Sequence, residues 1–179
     1  TKIETALDKT MRVLNFVNEG KSIGAINWFA VHTTSIPNTN TLISPDNKGH
    51  ASVAVESRYG EYYVSIFAQG DAGDVTPNWV YDQKTKTMRG HFEDHHENAK
   101  FNGQLQATKL QEIIEQEEKF KIENELDSVL VYKDFSNIVP DKEFMPAGAS
   151  SYAATTNACH GVAFAEGTRE GLGVNGALA

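Results

Sequence analysis

The sequence predicts an α/β protein in which helices flank a mixed sheet. Apolar segments of strand length, at residues 22–31 and 62–69, alternate along the chain with segments whose apolar residues recur at the helical period. Each of these two strands runs directly into a loop rich in Ser, Thr, Asn, Asp and Gly. Folds of this class bind ligands at the ends of neighbouring strands, so we expect one shared site where these two loops meet.

The first segment, residues 2–19, is predicted to be a helix because its apolar residues recur at the helical period. These residues include Ile3, Leu7, Leu14 and Val17. Glycine at position 20 suits a left-handed cap, so we expect the helix to end at Glu19-Gly20. Residues 22–31 are almost continuously apolar, which predicts a strand that is covered on both faces.

Residues 49–56 are predicted to form a helix, with a short strand as the alternative, and residues 62–69 a second strand with alternating side chains. A long helix with a charged outer face is expected over 98–123, and a third strand over 128–132. The remainder has weak periodicity, and no repeat or linker is visible. We therefore expect residues 1–179 to form a single unit with no internal boundary.

Composition narrows the class of protein. A chain of 179 residues is long enough for one domain with a sizeable core. The net charge of −8 and the pI of about 5.2 argue against nucleic-acid binding, which needs clustered Lys and Arg. Cys159 has no second cysteine to pair with and is expected to be a buried small hydrophobic residue, with a catalytic thiol as the alternative. The chain begins without methionine, so we expect a processed or truncated piece of a longer protein.

Two residues at the strand ends could carry chemistry. His32 ends the first strand, where it could hydrogen-bond to the backbone or act as a metal ligand or base. Thr76 lies in the loop after the second strand, where Pro77 keeps it away from helical geometry. It could be a nucleophile if a base lay within reach, or Asp74, Thr76 and Asn78 could simply hydrogen-bond within their own turn.

The remaining histidines give weaker signals. His91, Asp94, His95 and His96 resemble a metal cluster, but adjacent side chains diverge on a helix or a strand, so we expect a solvated loop. His160 could line the site or simply pack. No zinc-binding pattern of the HExxH or CxxC kind is present in the sequence.

Four segments together resemble the neutral/alkaline non-lysosomal ceramidases. They are residues 24–35 (GAINWFAVHTTS), 43–52 (ISPDNKGHAS), 73–78 (GDVTPN) and 164–168 (FAEGT). The match covers most of the chain in the right order. The resemblance implies an amidase that cleaves the N-acyl bond of ceramide to give sphingosine and a fatty acid.

The resemblance also implies roles for particular residues. His32 matches a zinc ligand of the family, and Thr76 stands where the family has a serine beside the zinc. Asp46 and Asn47 are expected to brace the pocket, while Gly73, Asp74 and Asn78 shape the loop. The family's other zinc ligands, a histidine upstream and a glutamate and a tyrosine downstream, have no matching motif in this sequence. The chain is therefore expected to be part of a larger catalytic domain that needs its remaining part for zinc binding and turnover.

Further expectations follow from the same resemblance. The implied partner is ceramide or a similar N-acyl lipid, contact with a membrane surface is possible, and the implied location is secreted or extracytoplasmic. Threonine at the serine position keeps the hydroxyl but adds a methyl group that restricts χ1. This difference from the family leaves two alternatives open. The chain could belong to a related amide hydrolase with another N-acyl substrate, or to a non-catalytic α/β binding module.

Overall fold

The structure is a computed structural model that describes residues 7–116, 120–122, 127–145, 147–149, 153–159, 161, 165–168 and 170–172. Contacts between Cα atoms divide the chain into two compact units, Thr1–Lys119 and Phe120–Ala179. The sequence shows no boundary at this position, and one undivided unit stays a prediction. The first unit contains a sheet with helices packed against it, which confirms the predicted α/β class.

The chain begins with a β-hairpin. Strand β1 (Arg12–Asn18) pairs antiparallel with β2 (Lys21–Phe29). The two residues between them have positive φ, +48° at Glu19 and +76° at Gly20, which is the geometry of the two-residue turns that suit hairpins. The prediction of a helix over residues 2–19 is therefore wrong for the described part, because strand pairing through this turn overrides a helical period. Gly20 has the left-handed conformation that was predicted for a helix cap, but it lies in a hairpin turn.

A βαβ unit carries the two loops of interest. Helix α1 (Asp46–Tyr59) connects β2 to β3 (Val64–Gln69), and these strands pair in parallel from Gly24↔Val64 to Phe29↔Gln69. The helix predicted over 49–56 and the strand predicted over 62–69 are both confirmed. Because β2 and β3 are parallel neighbours, their carboxyl ends lie at the same edge of the sheet.

Helix α2 (His95–Glu115) packs beside α1 and closes the core over one face of the sheet. Ala25 and Phe67 from the sheet, Val55 from α1 and Leu110 from α2 are buried in one cluster. The long helix predicted over 98–123 is confirmed, although it begins earlier and ends sooner than predicted.

Glycine at position 103 allows the two helices to approach closely. A Cβ atom there would lie 2.6 Å from the carbonyl oxygen of Asn47 and 2.9 Å from the amide nitrogen of Ala51. Because both contacts are with backbone of α1, only a residue without a side chain fits. Gly103 thus sets the distance between α2 and the beginning of α1.

The opposite face of the sheet is apolar and exposed in the part of the chain that the structure describes. Phe16, Trp28, Val64 and Ile66 lie on it, and Trp28 is 38% exposed. The expectation that β2 is covered on both faces is therefore wrong within the described residues. The apolar residues of β2 lie on both faces of the sheet, but in the described chain only one of these faces is covered by helices.

After β3 the chain forms a short hairpin of β4 (Val80–Asp82) and β5 (Thr87–Arg89), which precedes α2. The second unit contains a 3₁₀ helix at Lys142–Phe144 and a two-stranded ladder of β6 (Gly167–Thr168) and β7 (Gly171–Leu172).

Two predictions fail in the second unit. No strand forms over 128–132, where Val129 is 87% exposed, because β-branched sequence makes a strand only when another strand pairs with it. Cys159 is exposed, contrary to the expected burial.

Candidate functional site

The site lies at the edge where β2 and β3 end. His32 follows β2, and the loop with Gly73 and Thr76 follows β3. The amide of His32 donates to the carbonyl of Val75 at 3.0 Å, and the imidazole Nε2 is 2.8 Å from the carbonyl oxygen of Gly73. Because a carbonyl only accepts, Nε2 is the protonated nitrogen. The two loops that the sequence predicted to share a site are therefore joined by hydrogen bonds.

The imidazole of His32 is exposed and its second nitrogen, Nδ1, carries the lone pair when the ring is neutral. One ring nitrogen bound to a carbonyl and the other free is the usual arrangement of a metal-binding histidine, because the carbonyl fixes the tautomer and the orientation of the ring. The side chain therefore fits a single metal ligand. In the described residues there is no group of three or more His, Cys, Asp or Glu that could hold a metal ion.

Thr76 lies in a turn that its own neighbours stabilise. Its hydroxyl accepts from the amide of Asn78 at 3.1 Å, and the amide of Val75 donates to the carbonyl of Ala72 at 2.8 Å. Gly73 takes a left-handed φ of +48° in this turn. The hydroxyl of Thr76 thus accepts from its own turn, as the local interpretation predicted, and its proton is still available to a substrate.

Asn78 and Asp74 differ in their roles. The side chain of Asn78 is buried and donates to the carbonyl of Thr34 at 2.7 Å, which is a further link between the two loops. Asp74 is exposed at the turn. Asn78 therefore shapes both loops, while the carboxylate of Asp74 faces solvent.

Two buried side chains at the start of α1 hold the His32 loop. The carboxylate of Asp46 accepts from the amides of Ser35 and Ile36, at 3.3 and 2.8 Å. The amide group of Asn47 donates to the carbonyl of His32 at 3.0 Å and to the hydroxyl of Ser35 at 3.2 Å. Both residues thus brace the loop that presents His32.

Gln106 of α2 completes this network, although the sequence reading missed it. Its Nε2 donates to Oδ1 of Asn47 at 3.1 Å, and the side chain is buried. A signal was present, since Asn98, Asn102 and Gln106 are spaced by four residues and so share one face of the helix. Amide side chains in such a row indicate a polar surface buried against another part of the chain.

Lys48 is a second residue that the sequence reading did not select. Its ammonium group donates to the carbonyls of Phe29 and Ala68, at 3.1 and 3.2 Å, and the residue is only 8% exposed. Burial lowers the pKa of the Lys48 amine from 10.5 to about 8. A lysine in the first turn of a helix gives no sequence signal of burial.

Other predicted residues do not join the site. Asp94 caps α2 by accepting from the amides of His96 and Glu97, at 2.7 and 3.0 Å, and these hydrogen bonds lower the pKa of its carboxyl. His91, His95 and His96 are exposed, as expected. The predicted loop is wrong for His95 and His96, which form the start of α2 because Asp94 caps the helix there. His160 lies outside the described residues.

A shallow cleft of about 220 Å³ lies beside the His32 loop. It is lined by Thr33, Ile36, Pro37, Asn40, Leu42, Ser44, Pro45 and Asp46. Its lining is mainly polar, and Asp46 connects it to the network below His32. Within the described part of the chain, no helix is both long enough and apolar enough to cross a bilayer.

Comparisons with known proteins find one family and several relatives that match most of this chain. A family model described as "Neutral/alkaline non-lysosomal ceramidase, N-terminal" matches residues 1–177. Neutral ceramidase of Pseudomonas aeruginosa is 39% identical over 144 residues, which are 79% of this chain and 21% of that protein. Neutral ceramidase A of Dictyostelium discoideum is 29% identical over 196 residues, covering 93% of this chain and 27% of that protein.

A solved structure is similar as well. The crystal structure of neutral ceramidase from Pseudomonas aeruginosa matches with a TM-score of 0.54 and 40% sequence identity, over 65% of this chain and 18% of that one. A structure titled "Ceramidase complexed with C2" matches with a TM-score of 0.55. The chain thus spans about a fifth of the length of these bacterial relatives.

Proposed function

Because this chain belongs to the neutral/alkaline non-lysosomal ceramidase family, we propose that it forms part of a zinc-dependent amidase that hydrolyses the N-acyl bond of ceramide. The products are sphingosine and a fatty acid. The observation that supports this best is the hydrogen bond from His32 Nε2 to the carbonyl of Gly73, which joins the loops of the candidate ligand and the candidate hydroxyl group. As the chain spans about a fifth of its relatives, the rest of the site belongs to the remaining part of the catalytic domain.

His32 is the residue of this chain that would hold the metal. Its free Nδ1 suits zinc, and the Gly73 carbonyl keeps the ring oriented. Bound zinc would polarise the amide carbonyl of the substrate and make a water molecule more acidic. The other ligands come from outside the residues described.

Thr76 orients the reacting groups in this proposal. Its oxygen accepts from the amide of Asn78, so the hydroxyl proton is not used in this bond and can be donated to the carbonyl oxygen of the substrate. Charge accumulates on that oxygen as the amide is attacked, and a positioned donor stabilises it. We favour this role over that of a nucleophile, because no hydrogen bond in the described residues links the Thr76 hydroxyl to a base.

The remaining partners and the location follow from the same proposal. The substrate is ceramide or a similar N-acyl lipid, so the enzyme works at or near a lipid surface. A secreted or extracytoplasmic location accords with the family resemblance.

The zinc ligand is tested by His32→Ala in the full-length protein. We expect zinc stoichiometry, measured by inductively coupled plasma mass spectrometry, and ceramide hydrolysis to be lost together. His95→Ala is the matched control, because His95 is also exposed but belongs to the first turn of α2 and to neither loop. Retained zinc and full turnover in the His32 variant would exclude it as a ligand.

The role of Thr76 is tested with two substitutions. Thr76→Ser keeps the hydroxyl and should preserve or raise ceramide hydrolysis, whereas Thr76→Ala should reduce kcat by about 10² to 10³, as loss of an oxyanion donor does. Normal turnover by the alanine variant would refute a catalytic role.

Threonine at the family's serine position favours a second candidate, a related hydrolase acting on another N-acyl substrate. A panel of short- and long-chain N-acyl amines, assayed with and without a chelator, separates the possibilities. Chelator-sensitive release from a substrate other than ceramide supports the second candidate. Release from no substrate, with retained folding, favours a non-catalytic binding module.

A further inference from the structure

Lys48 lies in an unusual environment for a lysine. It is in the first turn of α1, and its ammonium group points back to the sheet instead of to solvent. Lysine is almost never fully buried unless it is paired with an acid. None of the ion pairs among the described residues includes Lys48. Among the described residues, the hydrogen-bond partners of the ammonium group are two backbone carbonyls.

Those dipoles belong to two neighbouring strands. Phe29 is the last residue of β2, and Ala68 is the residue before the last of β3. The ammonium donates to both carbonyls, at 3.1 and 3.2 Å. It therefore bridges the two strands at the last rungs of their parallel ladder, which ends at Phe29↔Gln69.

Both site loops leave the sheet from this junction. His32 follows Phe29 after two intervening residues, and the Gly73 and Thr76 turn follows Ala68. The carbonyl of Phe29 also accepts from the amide of Gly70 at 3.1 Å, and a Cβ atom on Gly70 would lie 3.2 Å from the amide nitrogen of Ala30. The strand ends are thus closely packed at the point where Lys48 joins them.

We propose that Lys48 is a positioning residue, whose ammonium group clamps the ends of β2 and β3 and so sets the separation between His32 and Thr76. Both acceptors are backbone carbonyls, so the two hydrogen bonds fix the backbone from which the two loops begin. The consequence for catalysis rests on the proposed amidase function. The consequence for the backbone does not.

The test uses Lys48→Met in the full-length protein, since methionine keeps an unbranched apolar stem and removes the donor. We expect kcat for ceramide hydrolysis to fall between about 10- and 100-fold, the size of effect that a small misplacement of reacting groups produces. KM and zinc content should stay within about twofold, because neither the substrate nor the metal is touched. Lys48→Arg, which keeps the charge and the donors, should recover part of kcat.

Lys100→Met is the matched control, because Lys100 is an exposed lysine of α2. Its kinetic constants should equal those of the wild type. A Lys48→Met enzyme with wild-type kcat, or one in which kcat falls only because the folded fraction falls, would overturn the proposal.

Amide hydrogen exchange supplies a readout that is independent of activity. The amide of Gly70 donates to Phe29 across the junction, and the amide of His32 donates to Val75 between the loops. In Lys48→Met both amides should exchange faster relative to the amides of the β1–β2 hairpin. Equal acceleration everywhere would mean a merely structural role and would refute the positioning role. If Lys48→Met does not fold, the same comparison is made with Lys48→Gln, whose shorter and uncharged side chain weakens the bridge between the two carbonyls. If the wild type hydrolyses no ceramide, the proposed function fails while the exchange result still decides the role of Lys48.

Discussion

Replacing Asn47 with alanine should destabilise the fold, because the Asn47 side chain holds the loop that carries His32. The Asn47 side chain is completely buried and bridges the His32 loop to α2: it donates to the His32 carbonyl and the Ser35 hydroxyl, and accepts from Gln106. Each such hydrogen bond contributes about 1 kcal/mol net to stability, and the buried partners left unpaired add to the loss. Removal of the amide also leaves a small cavity. We therefore expect the free energy of unfolding to fall by about 2 to 4 kcal/mol.

Urea unfolding followed by tryptophan fluorescence measures this loss, since Trp28 and Trp79 lie on either side of the site in the chain. Asn40→Ala is the matched control: Asn40 also hydrogen-bonds within the loop after His32, but in an exposed position. It should cost less than about 1 kcal/mol, because water replaces an exposed hydrogen bond. Equal costs for the two variants, or a loss at Asn47 below about 0.5 kcal/mol, would refute the bracing role.

Two further predictions concern the junction of the helices and the buried amine. Gly103→Ala should destabilise the fold by about 1 to 3 kcal/mol, because the added Cβ would lie 2.6 Å from a backbone oxygen of α1. Gly161→Ala is the control, since a Cβ atom at Gly161 would meet open space. Equal midpoints of thermal unfolding for the two variants would contradict the clash. For Lys48, the pKa of about 8 in the folded protein lies below the ordinary value of 10.5. The unfolded state therefore binds more protons between these two values, and stability should rise with pH across this range by at most about 1.4 kcal/mol for each pH unit. Urea midpoints from pH 7.5 to 9.5 should show this rise in the wild type and lose it in Lys48→Met; parallel curves would contradict the buried amine.

The α/β class and the meeting of the two loops could be predicted from the sequence for a physical reason. Two apolar strands separated by one helix leave a parallel pairing as the simplest arrangement, and parallel neighbours end at the same edge. His32 and Thr76 therefore had to lie near each other once the strands were identified. The family resemblance added the chemistry that the strand pattern does not contain.

Local patterns failed where partners elsewhere in the chain decide the outcome. Residues 12–18 fit a helical period, but pairing with β2 through the Glu19-Gly20 turn makes them a strand. The apolar residues of 128–132 had the composition of a strand and pair with no other segment in the described chain. Lys48 could not be identified as buried, because its environment is made by two carbonyls from distant strands.

The βαβ arrangement also affects the order in which the protein folds. The residues joined by the bond from His32 to Gly73 are only 41 positions apart, and half of the intervening chain belongs to helix α1 and strand β3. Closing such a segment costs little conformational entropy compared with contacts between distant ends of a chain. We therefore expect the two loops of the candidate site to come together early, as soon as one crossover has formed.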